Sequence, residues 1–403
     1  LKQRYGQVES LGPSLHVFSP EQDAEAAVAG IRQVLDPLPV AHLRTDEPEL
    51  EDVVVALLLK EQDGQTRASE RSSQSAPPAN RPQFDGPAVE AKELIRDFGS
   101  FRAVDRVSFD MQQGEIFGLL GANGAGKTTV IKMLTGIVPP SGGEGRVAGA
   151  DMRTASGAIK ERIGYMSQAF SLYLDLTVIE NIRLFADIYG LARRQAQQRM
   201  AWIVEMAGLS GYEHDRTGRL PMGVRQRLAL GCALVHSPRV LFLDEPTSGV
   251  DPIGRRRFWD LLTRLAREEG VAILITTHYL SEAEHCDRLA LMYAGHIVAE
   301  GTPADLKTQV EHEVGQLLEI AVDKPGAALA QVTAAGFTGA ALFGTKIHVL
   351  SRDPSRDEAR LREVLAHAGA TVAAVRPRML SLEDVFVSRV MALEQAAQKK
   401  GAS

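Results

Sequence analysis

The sequence predicts an α/β fold, and three stretches carry that reading. GEIFGLLGANGAGKTTVIKMLTG runs strand, glycine loop, helix, with Ile116 to Leu120 as the apolar strand and Lys127 opening the helix. VLFLDEP begins with four apolar residues and ends in a charged pair, Asp244 and Glu245, before Pro246. VAILITTH is a further apolar run, and it ends in His278. Short apolar runs bounded by glycine or charge read as buried strands.

Length and composition frame these elements. A chain of 403 residues has room for two or three domains. An apolar fraction of 44% and a charged fraction of 24% are ordinary for soluble globular protein. The net charge of -6 argues against a broad nucleic-acid surface, so no nucleic-acid partner is expected. Two cysteines, Cys232 and Cys286, give no disulfide framework and fit a reducing cytosol. No apolar run approaches the roughly 18 residues that cross a bilayer, and the best runs only from Val53 to Leu59. Any membrane role then needs a separate membrane partner. The first residue is Leu1 and no signal-peptide pattern follows, which leads us to expect a processed or truncated start.

Residues 61–87, EQDGQTRASERSSQSAPPANRPQFDGP, are rich in Ser, Pro, Gln and charge. They carry too little apolar surface to offset the entropy of ordering and read as a disordered linker. The residues before them resemble the far end of the chain. GPSLHV, Gly12 to Val17, matches GTKIHV, Gly344 to Val349, and LEDVVV, Leu50 to Val55, matches LEDVFV, Leu382 to Val387. Both pairs are offset by 332, as are Ser19/Ser351, Val40/Val372, Ala41/Ala373 and Arg44/Arg376. A constant offset argues for a repeat over chance. Residues 1–60 are therefore expected to be the tail of a preceding unit, and residues 88–395 one complete unit.

Within that unit, residues 310–395 read as a small α/β accessory domain of order βαββαβα. QLLEIAVD, TKIHVLS and TVAAVRP have strand character, and SRDEARLREVLAHAG has helical spacing from a Ser start. The last helix is expected from Ser381, where Ser-Leu-Glu-Asp has the capping-box form.

The glycine loop fits the P-loop pattern G-x-x-x-x-G-K-[ST], with Gly121, Gly124, Gly126, Lys127 and Thr128. Glycines let backbone N–H groups turn inward around a phosphate, and a helix N-terminus adds its positive end. Lys127 should reach the β and γ phosphates, and Thr128 should hold Mg²⁺ through its hydroxyl. Carboxylates at the end of a central strand are costly without a cation, which suits Asp244 to the Mg²⁺ shell and Glu245 to polarising an attacking water. A helix start decorated with acids would explain that pair alone, but not His278 after a third strand. Gln168, ending RIGYMSQ, completes the set.

Phe98, GANGAGKTT, Gln168, LPMGVRQRL, LFLDEP, SGVDP and TTHYLSEAEHCDR together resemble an ABC transporter nucleotide-binding domain over residues 88–306. GEIFGLLG, YMSQAFSLY and FLDEPTSGVDP look most like ATPases of ABC type-2 exporters, and the repeat resembles their tandem, two-domain multidrug subgroup. The resemblance implies a P-loop NTPase fold with a RecA-like α/β core, an antiparallel β subdomain and a helical subdomain. It implies ATP and Mg²⁺ as ligands. Phe98 would stack on adenine. Gly121, Ala122, Asn123, Gly124, Ala125, Gly126, Lys127, Thr128 and Thr129 would line the nucleotide. Thr128, Gln168 and Asp244 would serve the metal, with Gln168 linking it to the membrane partner. Glu245 would be the catalytic base and His278 would contact the γ-phosphate. Gly223 and Asp251 would face the opposite site of a head-to-tail dimer. The implied partners are ABC type-2 transmembrane subunits and the first nucleotide-binding domain of the same natural chain, with the protein peripheral on the cytoplasmic face of the membrane.

One departure stands out. Leu-Ser-Gly-Gly-Gln is the usual signature of this family, and here LPMGVRQRL carries Pro221, Met222 and Val224 instead, with Gly223 retained. Pro221 has neither hydroxyl nor amide proton, and Met222 and Val224 add bulk, so this segment is expected to be a poor phosphate cap for the opposite site. An asymmetric pair follows, in which this unit's P-loop works with the first unit's signature. AFSLYLDLTVIENIRLFADIYG, with Phe170, Leu172, Tyr173 and Leu174, reads either as a docking surface for a cytoplasmic coupling helix or as helical-subdomain core. The competing readings of the whole chain are a soluble ABC ATPase acting on ribosomes and a regulatory ATP-binding module.

Overall fold

The computed structural model describes residues 84–168, 172–337 and 340–401, together with 8–11, 14–19, 23–36 and isolated positions before residue 46. The chain divides into two units, Leu1–Ile297 and Val298–Ser403. Val53 to Leu59, the LEDVVV copy, residues 61–83 of the expected linker, Ala41, Arg44 and Phe170 lie outside the described residues.

The first unit opens with a hairpin of β1 (Val8–Leu11) and β2 (Ser14–Val17), followed by helix α1 (Ala24–Leu35). Asp23 caps that helix by accepting from the N–H groups of Glu25 and Ala26. Phe84 to Pro87, read from composition as linker, are instead held in place. Gln113 Nε2 donates to the carbonyls of Phe84 and Gly86, and the Phe84 ring packs on the neighbouring core. One half-buried ring and two satisfied carbonyls outweigh the polar character of the stretch.

Strands β3 (Val89–Phe98) and β4 (Phe101–Met111) form a long antiparallel pair with Phe98 opposite Phe101 at its tip. Strand β5 (Ile116–Leu120) is buried throughout and runs into the glycine loop and helix α2 (Lys127–Leu134). Strands β6 (Gly142–Val147) and β7 (Ala150–Asp151) join the first pair in a four-stranded sheet of order β4-β3-β6-β7. Helix α3 (Ser156–Arg162) leads to β8 (Ile163–Met166). A helical layer follows, built from α4 (Val178–Ile188), α5 (Arg193–Met206) and α6 (Met222–Leu234). Thr177 and Glu180 start α4 with a full capping box. The unit is completed by β9 (Val240–Asp244), α7 (Pro252–Arg267), β10 (Ala272–Thr277), the single turn α8 (Leu280–Ala283) and β11 (Arg288–Tyr293), and the division between the units falls within β12 (His296–Gly301).

The central sheet has the order β12-β11-β5-β10-β9-β8, and β11, β5, β10, β9 and β8 are parallel. Strands covered on both faces should be apolar without alternation, as VLFL and AILI are. Successive side chains nevertheless serve opposite cores. Leu241, Leu243, Ile273 and Ile275 pack with the helical layer, whereas Val240, Phe242, Ala272 and Leu274 pack with residues of β3 and β4. Each of these side chains larger than alanine contributes about 2 kcal/mol of apolar burial. Register fixes what matters for the site. Thr277 lies beside Leu120 and Thr276 beside Asp244, so β5, β10 and β9 end together on one edge.

The second unit contains α9 (Pro303–Val314), β13 (Gln316–Val322), α10 (Pro325–Ala334), β14 (Ala341–Phe343), β15 (Lys346–Ser351), α11 (Pro354–His367), β16 (Val372–Arg378) and α12 (Leu382–Gly401). After α9 the order is βαββαβα, and the sheet runs β14-β15-β13-β16. Helix α9 crosses the boundary drawn between residues 306 and 310. It belongs with this unit because Arg389 on α12 pairs with Glu313 at 2.6 Å. The cap of α11 is Asp353, which accepts from Arg356 N, rather than Ser355. Ser381 and Asp384 cap α12 reciprocally.

The two hairpins agree in register. Leu11 pairs with Ser14 and Glu9 with His16, while Phe343 pairs with Lys346 and Ala341 with His348. Every number in the second hairpin is 332 above its counterpart, the offset found in the sequence. Helix α1 then corresponds to residues 356–367 of α11.

Candidate nucleotide site

The loop between β5 and α2 folds over the adjoining strands because two glycines allow it. A Cβ on Gly121 would lie 2.2 Å from Met292 O, and one on Gly126 would lie 2.5 Å from Ala103 O. Gly126, at φ 108°, is also the cap of α2 and offers no side chain to its first turn. Those N–H groups are open to an anion. Ala122, Asn123 and Gly124 are exposed along the loop, Ala125 is buried, and Thr129 is half-buried.

Lys127 is buried beneath this loop. Its Nζ donates to Gly121 O at 2.6 Å and Ala122 O at 3.1 Å, and stands 4.0 Å from Glu245 Oε1. Burial lowers its pKa, and the nearby Glu245 and Asp244 carboxylates oppose that shift. Thr128 Oγ1 donates to Asp244 Oδ1 at 3.1 Å. Asp244 also accepts from Thr276 Oγ1 at 2.6 Å, and Thr276 Oγ1 in turn accepts from Glu245 N at 3.0 Å.

Glu245 gathers the remaining groups. Gln168 Nε2 donates to its Oε2 at 3.1 Å, and His278 Nδ1 lies 3.3 Å from the same oxygen without hydrogen-bond alignment. Its backbone sits at φ 49°, a left-handed conformation rare for a side chain of this size. Lys127, Thr128, Gln168, Asp244, Glu245 and His278 thus converge from three strand ends and one loop. Thr276 joins them and was not singled out. Its only signal is a hydroxyl side chain, shared with Thr277, at the end of an apolar run.

Three expected residues stand apart from this cluster. Phe98 is 48% exposed, with the Arg96 guanidinium 4.6 Å from its ring centre. Asp251 caps α7 through Gly254 N at 2.8 Å. Gly223 is its neighbour, since a Cβ there would be 3.8 Å from Asp251 Oδ2. Helix α6 begins directly after Pro221, which supplies no side-chain cap. Val224 does not add bulk to that surface. It is buried in the helical-layer core, because its position in the helix turns it inward. Leu172 is likewise core, whereas Tyr173 and Leu174 are 55% and 47% exposed.

The oxygen donors Thr128 and Asp244, beside an open helix start and a buried lysine, suit a nucleotide phosphate with Mg²⁺. The ABC transporter family profile matches residues 104–248. The Nod factor export ATP-binding protein I of Burkholderia thailandensis is 36% identical over 74% of this chain and 95% of its own length. The chain belongs to the ABC transporter ATP-binding protein family. This family hydrolyses ATP. A probable multidrug ABC transporter ATP-binding protein of Escherichia coli, YbhF, is 49% identical over 221 residues, and the chain spans 38% of that relative's length. Among solved structures, the fold matches cbiO1 from Clostridium perfringens, described as part of the ABC transporter complex cbiONQ. The TM-score is 0.52 and the identity 26%, over 57% of this ABC chain and 96% of that one. Among the described residues no helix is long and apolar enough to cross a membrane.

Proposed function

We propose that this ABC chain is the ATP-hydrolysing subunit of an ABC type-2 exporter and drives efflux through separate membrane subunits. The convergence of Lys127, Thr128, Gln168, Asp244, Glu245 and His278 at the ends of β5, β8, β9 and β10 carries the reading. Phosphoryl transfer to water depends on placement and charge stabilisation, which these groups can supply. Lys127 and the N–H groups of α2 hold the β and γ phosphates, and Phe98 stacks on adenine. Thr128, Asp244 and Gln168 serve Mg²⁺, which when bound neutralises phosphate charge. Glu245 takes the proton of the attacking water, and His278 contacts the γ-phosphate. The names of relatives that export Nod factor or act as multidrug transporters support an export role.

Two units in tandem fit the repeated hairpin register. In that arrangement the LPMGV segment of this unit caps the site built on the other unit's P-loop, while this unit's P-loop requires the other unit's signature. Gly223 and Asp251 face the opposite site. Mg²⁺-dependent ATP turnover tests this. The present chain alone should turn over slowly, and joined to a first unit it should turn over at least about tenfold faster, since placement by the trans signature is then restored. Equal rates would end the asymmetric model, and absence of turnover in the joined protein would end the hydrolytic one.

Exposed Tyr173 and Leu174, held beside α4 by the Asn181 side chain, suit docking to a cytoplasmic helix of the membrane partner. Tyr173→Ala should release the folded protein from membranes that contain the partner. Undiminished sedimentation with those membranes would remove Tyr173 from the docking surface. A protein that never sediments with them would favour the soluble-ATPase reading.

A further inference from the structure

Behind the nucleotide cluster lies a second polar centre that the proposed chemistry does not use. Glu282, on α8, is 2% exposed. Its Oε1 accepts from Thr247 Oγ1 at 2.6 Å and lies 3.3 Å from Arg255 Nε. These three residues come from three segments. Thr247 is two residues past Glu245, in a turn closed by Ser248 N to Glu245 O and Val250 N to Thr247 O. Arg255 is in the first turn of α7, and its backbone N–H donates to Asp251 O at 2.9 Å. Glu282 itself donates its backbone N–H to Tyr279 O at 3.1 Å, just after His278. The Arg255 guanidinium also lies over the Tyr279 ring, 5.0 Å from its centre, and the Tyr279 ring lies 4.1 Å from that of His278.

A carboxylate this buried is costly, and the cost is met only where hydrogen bonds and a cation surround it. Here the surrounding groups are those that continue from Glu245, Asp251 and His278. We propose that Glu282 is a positioning residue. It locks the turn after Glu245, the start of α7 after Asp251 and the His278–Tyr279 turn into one rigid piece, so that base, γ-phosphate contact and trans-facing aspartate keep a fixed relation. The proposal rests on the hydrolytic reading of the site. Its chemistry is specific. The carboxylate serves Thr247 and Arg255 through one oxygen, so a neutral amide can keep the first link and must weaken the second.

The test is steady-state ATP turnover by the full chain carrying Glu282→Ala, Glu282→Gln, Thr247→Val or Thr247→Val/Glu282→Ala. Thermal midpoint and binding of a fluorescent ATP analogue are read beside it. Misplacement of reacting groups by a fraction of an ångström to 1 Å should lower kcat by about tenfold to a hundredfold in Glu282→Ala, with KM within about twofold of the parent. Glu282→Gln should recover part of that loss. The double variant should be no slower than Glu282→Ala alone, because both changes cut the same link. If Glu282→Ala does not fold, Thr247→Val and Glu282→Gln carry the test, with kcat lowered and KM held. Unchanged kcat in the folded variants, a rise in KM at constant kcat, or multiplying losses in the double variant would overturn the proposal. Glu245→Gln serves as the control. If it too leaves turnover intact, the hydrolytic reading itself has failed, and not merely the role of Glu282.

Discussion

Glu245→Gln should leave ATP bound and cut its turnover by about a hundredfold to ten-thousandfold, the usual contribution of a placed general base. The side chain is held by one hydrogen bond, from Gln168 Nε2, with His278 Nδ1 at 3.3 Å and Lys127 Nζ at 4.0 Å beside it. Glutamine has the same reach, so the Lys127 and Thr128 framework for phosphate is untouched. What disappears is an oxygen able to take a proton from water. Loss of the negative charge also removes repulsion toward the γ-phosphate, so affinity should hold or rise. The check is a pair of measurements on one preparation, ATP binding by equilibrium titration and phosphate release under saturating Mg²⁺-ATP. Full turnover with binding intact would take Glu245 out of the base role.

Lys127→Met should fail earlier, at binding. Methionine approximates the aliphatic stem but has no charge and no donors. The loop carbonyls of Gly121 and Ala122 lose their partner, and Asp244 and Glu245 lose the nearest cation. Phosphate would then enter a site with two carboxylates and no buried amine. Truncating one member of a buried, hydrogen-bonded charge pair costs about 2–5 kcal/mol, which corresponds to a fall in ATP affinity of thirtyfold or, on the order of, several thousandfold. Equilibrium titration with the nucleotide reads the loss directly. An affinity within twofold of the parent would show that the α2 N-terminus alone holds the phosphates.

These expectations come from different depths of information. The strand ends were legible because VLFL and AILI have no polar residue to mark an exposed face, and each stops at a group that needs a phosphate, metal or partner. Which strands lie side by side was not legible. The order β5-β10-β9 places the third strand in sequence between the other two, and only the register of Thr276 with Asp244 shows why that threonine joins the site. Val224 misled for a related reason. A sequence lists it among altered signature residues, whereas the start of α6 turns it into the helical core. The span of α9 across residues 306–310 was not legible, because the ion pair that ties it to α12 links residues 313 and 389, too far apart to be read locally. Much of the accessory order βαββαβα was readable because QLLEIAVD, TKIHVLS, TVAAVRP and SRDEARLREVLAHAG each carry their own period, whereas the three residues of β14 are too few to carry one.

Glu245 also sets a conflict between durability and work. A side chain held at φ 49° costs the native state about 1 kcal/mol against a relaxed backbone, and a glycine there would be free of that cost. Selection of this protein for heat resistance alone would therefore reward replacements that silence it, and hydrolysing lineages would keep the less comfortable residue. In a library sorted first by stability and then by turnover, position 245 should be where the two rankings diverge most.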